Sequence, residues 1–502
     1  MSKVIKAMVL FLITFIFSSQ AMAASIPYRV YIDDKRNPAT NIFTQKNTVT
    51  VRVYDSAGAN HTVKVGSTVA ENIGAGNYEV RDYPLKVGSN SITITVDSYK
   101  DTYNITYIDE ALPGARYYTS SIPSSGTITA INGTILLKFP SNNYIINIDD
   151  PDSPEFVRDQ GLAIEVLYFD SADSPTIYHQ AISSLYAIKP TSCDLDGDSE
   201  RADAAVLYPG ELTIKYDAGL SSAAADTLTV VYIPYKDSKY DSYYNDFDHY
   251  WNDRWSRRGC VILGGRVDTS ARTITVPFTK TGFGTYAVFN VNREFTDLLD
   301  INNHLTWARN YVLPLWAKGV MEKTGSGESF GNGYITREEF TTSILKAMGI
   351  QPEGNLCNPF EDLNSSNLEV DDYRDYILTA AKNGFICGFP ESRGVYFHPE
   401  RNLTREQAAT IIARVAGLKI SDSESTTESA MAKAFHDYST TPDDFGRWAT
   451  PYVYAAYKAG FIQGSPIVIN KKTLYDFFPQ DNLTRTEAAK LIYMLMKKQK
   501  KL

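Results

Sequence analysis

The C-terminal two-fifths of the chain states one pattern three times, and that repetition limits what it can fold into more than any other feature. Ile335-Thr336-Arg337-Glu338-Glu339-Phe340 returns as Leu403-Thr404-Arg405-Glu406-Gln407-Ala408 and as Leu483-Thr484-Arg485-Thr486-Glu487-Ala488. Upstream of each lies a Phe-x-Asp: Phe295/Asp297, Phe360/Asp362 and Phe435/Asp437. Between the two comes an apolar stretch closing on Gly319-Val320, Gly384-Phe385-Ile386 or Gly460-Phe461-Ile462. Units this short cannot bury an apolar face alone and must dock on one another.

Each copy reads as two helices. Thr336, Thr404 and Thr484 stand at N-cap positions with Glu339, Gln407 and Glu487 three residues on, which predicts a capping box in all three copies. Apolar residues then recur at helical spacing, as in Phe340, Ile344 and Ala347 or Ala408, Ile411 and Ile412. Gly349 and Gly417 suit the left-handed position that ends a helix. The first helix of each copy is expected over Trp307 to Ala317, Tyr373 to Ala381 and Trp448 to Ala459.

Capping accounts for the Thr and the Glu or Gln, but not for the Arg. It falls in the first helical turn, where the backbone's positive end disfavours a cation. Two explanations stand open. Each Arg pairs with the Asp of its own or a neighbouring repeat, or guanidinium and helix N-terminus together form an anion site.

Phe-x-Asp, a Trp-bearing first helix, the Gly-apolar step, the aromatic-Pro steps Phe397-His398-Pro399 and Phe478-Pro479, and Thr-Arg-x-Glu together resemble S-layer homology (SLH) domains over about 295–502. The resemblance implies an all-α bundle of three repeats with pseudo-threefold packing. It implies grooves between repeats that bind an anionic secondary cell-wall polysaccharide, typically with pyruvylated amino sugars. Carried over, the polysaccharide-binding residues are Asp297, Arg337, Asp362, Arg405, Asp437 and Arg485, with Trp307 and Trp448 as sugar-stacking or groove-wall residues. Further S-layer subunits are a second class of partner. Copy two has Asp372-Tyr373 where the others have Trp-Ala, and copy one has Ser329-Phe330-Gly331 for the aromatic-Pro step and Lys323 where Gly388 and Gly464 stand later. Unequal grooves are therefore expected.

The N-terminus fits a route to the wall. Lys3 and Lys6 precede an apolar run from Ala7 to Phe17, and Ala21-Met22-Ala23 has the form of a signal-peptidase site, so residues 1–23 read as a secretory signal. No other stretch has the length and apolarity of a membrane helix. A formal net charge of −9 argues against nucleic acid as a partner. The basic run Lys497-Lys498-Gln499-Lys500-Lys501 reads as a solvated tail with weak attraction for an anionic polymer. Cys193 and Cys260 fall in the middle of the chain and Cys357 and Cys387 in the second repeat; each pair either bridges or stays as thiols.

Ahead of the repeats the periodicity changes from 3.6 to two. Val49/Val51/Val53, Ile92/Ile94/Val96 and Tyr103/Ile105/Tyr107 alternate with polar residues, as half-buried strands do. Residues 24–110 resemble cadherin-like or immunoglobulin-like sandwiches, and 111–292 a second β-sandwich region with strands at Ile135–Leu137, Ala163–Phe169, Leu212–Tyr216, Leu228–Ile233, Thr273–Phe278 and Tyr286–Val291. Repeats one to three then occupy 293–352, 353–420 and 421–502.

Asp194-Leu195-Asp196-Gly197-Asp198 lacks the glycine position and terminal Glu of a calcium loop, so no metal is expected there. Tyr235 to Trp255, dense in Tyr and Asp, is either a long hairpin loop or a carbohydrate-contacting surface. No H-E-x-x-H, G-x-S-x-G or P-loop occurs. The expectation is a secreted, non-enzymatic, cofactor-free surface protein held to the wall without a covalent bond. The alternative is an SLH-anchored exoenzyme acting on glycans, with its active site in 111–292, because two carboxylates suffice for glycoside hydrolysis.

Overall fold

The computed structural model describes residues 28–36, 38, 41–55, 60–147, 161–167, 179–191, 204–217, 225–234, 261–279, 282–354, 356–363 and 371–502. Residues 1–23, expected to be a secretory signal, the Asp194–Asp198 and Tyr235–Trp255 stretches, Cys193 and Cys260 lie outside them. The chain forms two compact units, Met1–Ile108 and Asp109–Leu502.

In the first unit the period-two segments form two five-stranded sheets. One centres on Thr48–Tyr54, antiparallel to Arg29–Ile32 and to Asn77–Pro84. The other pairs Gly88–Val96 with Tyr99–Tyr107 across a hairpin, flanked by Asn41–Thr44 and Val63–Val65. Alternation places Val49, Val51 and Val53 of one sheet and Ile92, Ile94 and Val96 of the other in one core.

The second unit opens with a larger sandwich. A seven-stranded sheet carries Gly161–Leu167, Leu185–Thr191, Gly284–Val291 and Leu228–Pro234 in spatial order, and a five-stranded sheet carries Ile135–Lys138, Gly210–Lys215 and Thr273–Phe278. Ile164, Ile188, Val230 and Val288 of the first meet Ile135, Leu137, Leu212, Ile214 and Val276 of the second. Six strands expected here are present within two residues at each end.

Helices follow. The longer ones are α1 (Arg309–Ala317), α2 (Arg337–Met348), α3 (Asp371–Lys382), α4 (Arg405–Val415), α5 (Glu424–Ala434), α6 (Thr450–Lys458) and α7 (Arg485–Lys498). The region is helical but not all-α, which corrects the sequence expectation. Phe389–Glu391 pairs with Gly394–Tyr396, and Ser465–Ile469 with Lys472–Asp476, as two hairpins. Their positions follow the sequence departures. A Cβ on Gly388 would stand 2.5 Å from Val395 Cγ1, and one on Gly464 3.0 Å from the Asp476 carbonyl oxygen. Copy one, with Lys323 there, has no such hairpin among the described residues.

One apolar core runs through all the copies, with Phe295, Phe330, Phe340, Phe360, Phe397, Phe435 and Phe477 buried in it. The copies are also laced by backbone hydrogen bonds. The Ile335 N–H donates to Leu483 O, the Leu483 N–H to Leu403 O and the Leu403 N–H to Ile335 O, at 3.0, 2.8 and 2.9 Å, which closes a ring. Sandwich and repeats meet within this unit: the buried Lys318, just past α1, donates to Leu228 O and Gly265 O at 3.2 and 2.8 Å. Among the described residues no helix is long and apolar enough to cross a membrane.

Candidate functional site

The Phe-x-Asp residues act first on their own copies. Asp297 accepts from the N–H groups of Phe330 and Gly331, Asp362 from those of Phe397 and His398, and Asp437 from those of Phe477 and Phe478, all at 2.6–2.9 Å. The second residue of each pair is left-handed: Gly331 at φ 88, His398 at 57 and Phe478 at 54. Each carboxylate thus holds the aromatic step in a conformation that only copy one's glycine adopts freely. The backbone donors hold Asp297 below the usual carboxylate range, against the opposing effect of burial.

The arginines link one copy to the next. Arg337 Nε donates to Phe397 O (2.8 Å), and its other nitrogens to Gln407 Oε1 and Cys387 O (3.2 Å each). Arg405 donates through Nε to Phe477 O (2.8 Å) and pairs with Glu487 (2.6 Å). Arg485 pairs with Glu339 and donates to Glu322 O. Each guanidinium also lies over a ring of the copy it reaches: Phe397 (4.7 Å), Phe477 (5.5 Å) and Phe330 (5.0 Å). Within the protein, each guanidinium therefore reaches the N3 residue of the next copy rather than hydrogen-bonding the Asp of the motif.

This changes the capping expectation. All three threonines accept from the N3 N–H, but only α7 has the reciprocal half of the box, through Glu487 and the Thr484 N–H. Glu339 and Gln407 have turned to the incoming arginine instead. Desolvation pulls both Arg337 and Arg485 down to about 10, against the usual value of 12.5.

The three junctions are unequal. Arg485 Nε is buried without an acceptor, because the matching carbonyl, Phe330 O, already accepts from the Thr324 and Gly325 N–H groups. That is a consequence of copy one's altered aromatic step. At the first junction a pocket of about 400 Å³ opens, lined by Arg337, Cys387, Phe389, Gln407, Arg414 and Trp448 among others. It brings Arg337 and Trp448 together, a pairing the sequence did not specify, and adds Arg414, whose guanidinium lies 4.9 Å over Tyr452 and 3.3 Å from the Cys387 sulfur. Trp448 is half exposed there. Trp307 lies elsewhere, beside Tyr311 and under Lys490 of α7. Cys357 and Cys387 are free and exposed, so the second repeat holds no bridge. Gln407, Arg414 and Phe389 escaped the sequence reading. Gln407 could have been found as the one N3 residue that is not a carboxylate.

The S-layer homology domain family matches residues 369–409. An amylopullulanase of Thermoanaerobacterium thermosulfurigenes is 31% identical over 256 residues, 51% of this chain and 12% of the relative. Exoglucanase XynX of Acetivibrio thermocellus is 30% identical over 204 residues, 41% of this chain and 16% of the relative. The middle cell wall protein of Brevibacillus brevis is 29% identical over 126 residues, 24% of this chain and 11% of the relative. The chain thus spans less than a fifth of the length of each relative. The first two names overturn the expectation of a non-enzymatic protein, which rested on missing motifs that glycoside hydrolysis does not need. The chain carries an S-layer homology domain and is a protein of the cell-wall surface.

Proposed function

We propose that this chain is a wall-anchored, glycan-active exoenzyme or the wall-binding part of one. The three repeats, 293–352, 353–420 and 421–502, pack with pseudo-threefold symmetry, and their first junction holds an anionic secondary wall polysaccharide with pyruvylated amino sugars. Carrying this reading is the pocket that sets two arginines, Arg337 and Arg414, beside the exposed face of Trp448. Cations neutralise an acidic substituent and an indole stacks on a sugar ring. The ring of hydrogen bonds through Ile335, Leu403 and Leu483 supports the symmetric packing. Arg405, Arg485 and the three Asp residues serve the polymer by shaping the junctions, and Trp307 lies at the junction of α7 with copy one.

The glycan chemistry belongs to the sandwich in 111–292. Supporting it is a polar cleft of about 630 Å³ that is lined by Asp226 and Asp268 together with Arg266 and Tyr493; the likeness to an amylopullulanase supports glycan activity without assigning it to a region. The full chain is to be incubated with pullulan and with a glucan, and separately sedimented with purified walls. Release of sugar that Asp226→Asn or Asp268→Asn abolishes is the expected result, and no release from either glycan sinks the enzymatic half. Sedimentation should vanish on walls stripped of the secondary polysaccharide; undiminished binding sinks the anchoring half.

A further inference from the structure

The hairpins of copies two and three each carry a proline two residues past the glycine that opens them, Pro390 after Gly388 and Pro466 after Gly464. In copy three the turn explains the position. Asn470 and Lys471 lie at φ 51 and 63, the two left-handed residues of a type I′ turn, so Ile469 and Lys472 form a hydrogen-bonded pair. Counting back along the register, Ile467/Leu474 and Ser465/Asp476 also bond inward. Val468/Thr473 and Pro466/Tyr475 turn their backbone groups outward instead. Pro466 therefore removes no bond from its own hairpin, but it takes an N–H away from the outer edge of the first strand.

The second strand keeps its edge intact. In copy two that strand is Gly394–Tyr396, short enough that only Val395 turns outward. In copy three it is Lys472–Asp476, and both Thr473 and Tyr475 present an N–H and a C=O. The sheet has two strands, so these groups have no partner among the described residues. Pro466, Val468, Thr473 and Tyr475 also share one face, and all four are exposed, Val468 at 75% and Tyr475 at 44%. A free edge beside an exposed apolar face is a template for another strand, and a two-stranded ribbon gains stability from it.

Register and charge select the occupant. Laid antiparallel on a second copy of itself about Leu474, the strand sets Thr473 opposite the partner's Tyr475 and Tyr475 opposite the partner's Thr473. Each pair exchanges two hydrogen bonds, so every outward group on both strands is satisfied. Lys472 then faces the partner's Asp476. In this chain Asp476 Oδ1 accepts from the His436 ring and the Asp437 N–H, which leaves Oδ2 open to that ammonium. Centring the pairing on Thr473 or Tyr475 instead keeps one such pair rather than two and moves Lys472 off the carboxylate. We propose that this hairpin is an interface for a second copy of the chain, joined through Lys472–Asp476 into a four-stranded sheet about a twofold axis at Leu474. Copy three alone offers such an edge among the described repeats, so the association closes at two chains. It is independent of what the repeats bind.

The test is sedimentation velocity of the full chain in reducing buffer, which keeps the exposed Cys357 and Cys387 from cross-linking. One chain mass should give way to two between about 1 and 500 µM. Amide exchange in 472–476 should slow over the same range. Thr473→Pro removes an outward N–H while sparing the hairpin's own bonds. It should weaken the dimer about 10-fold to 100-fold, because the twofold axis doubles the loss. Val468→Pro makes the same change on the edge that Pro466 already blunts and should leave the dimer within about threefold. Lys472→Glu, an exposed change without a proline, sets like charges opposite and should weaken it about 3-fold to 30-fold. A chain that stays monomeric throughout overturns the proposal, as does assembly beyond two. Equal weakening by Thr473→Pro and Val468→Pro overturns it, and so does a dimer indifferent to Lys472→Glu with unchanged exchange in 472–476.

Discussion

A guanidinium in the first turn of a helix stands against the positive end of the backbone dipole, yet Arg337, Arg405 and Arg485 all do so. Their reward lies in the next copy, where each finds a carbonyl or side-chain oxygen and an aromatic face. Removing the charge therefore does not relieve the helix, as its local electrostatics alone would suggest. Arg337→Ala and Arg485→Ala should each cost about 2–4 kcal/mol in urea unfolding, because a buried partner is left behind. Thr336→Ala, which removes only a cap, should cost about 1 kcal/mol. Arginine variants as stable as wild type would mean the inter-copy bonds carry no weight.

The first unit offers a second test on single residues. His61 lies between Asp97 (2.7 Å) and Asp55 (3.1 Å), and the hydrogen bond to Asp97, joined by that to Asp55, raises its pKa despite opposing burial. A raised folded pKa means the contribution is fully present below about 6.5, the unfolded value, and fades as pH rises through the folded one. The melting temperature of this unit should fall from pH 5 to pH 8.5 by more in wild type than in His61→Gln. Parallel curves would refute the assignment.

Among elements, the strands and the second helix of each copy were legible because their signals are local: alternation, a cap and an apolar stripe. Thr404 with Ile411 and Ile412 is enough to place α4. The two hairpins were not legible, since Phe389–Glu391 and Lys472–Asp476 have no strong alternation and depend on the close approach that Gly388 and Gly464 permit. The candidate site was half visible. Arg337 and Trp448 could be named from the motif; Gln407 was visible as the one N3 residue that is not a carboxylate, but capping treats Gln and Glu as equals, so its contact with Arg337 emerges only in the neighbouring copy. The non-enzymatic expectation was overturned by the names of two relatives, and it had rested on absent motifs although glycoside hydrolysis has no spacing signature whose absence could exclude it.

Lys318 shows what an element's end can do. It caps α1 and reaches into the sandwich, where burial lowers its ammonium to about 8 from 10.5, with Asp226 opposing. Between those values the unfolded chain holds more protons than the folded one, so the stability of this unit should rise with pH across the window. The rise is on the order of 3 kcal/mol, at about 1.4 kcal/mol per pH unit. Lys318→Met should flatten it; an unchanged slope in urea titrations between pH 7.5 and 10.5 would place the charge elsewhere.

For the whole second unit, sandwich and repeats share more than a linker. Besides Lys318, Tyr493 of α7 donates to Asp226 at 2.7 Å, and burial together with that carboxylate pushes the phenol well above its usual range. Tyr493→Phe should lower stability by about 1.5–3 kcal/mol, the range for a hydrogen bond to a charged group. Residues 293–502 expressed alone should melt below the same segment within 109–502. Identical melting would show that the contacts at Lys318 and Tyr493 are incidental.

The ring through Ile335, Leu403 and Leu483 bears on how such a chain can change over generations. An open stack of repeats lengthens by duplication at either end, since a new unit finds a free face waiting. A closed ring offers none: its last member already touches its first. A fourth copy would have to break a seam to enter, and the loss of one would expose two seams at once. The number of copies is thereby a property of the closure rather than of the gene's tendency to duplicate, and divergence is left to proceed by substitution within a fixed count, as at Gln407.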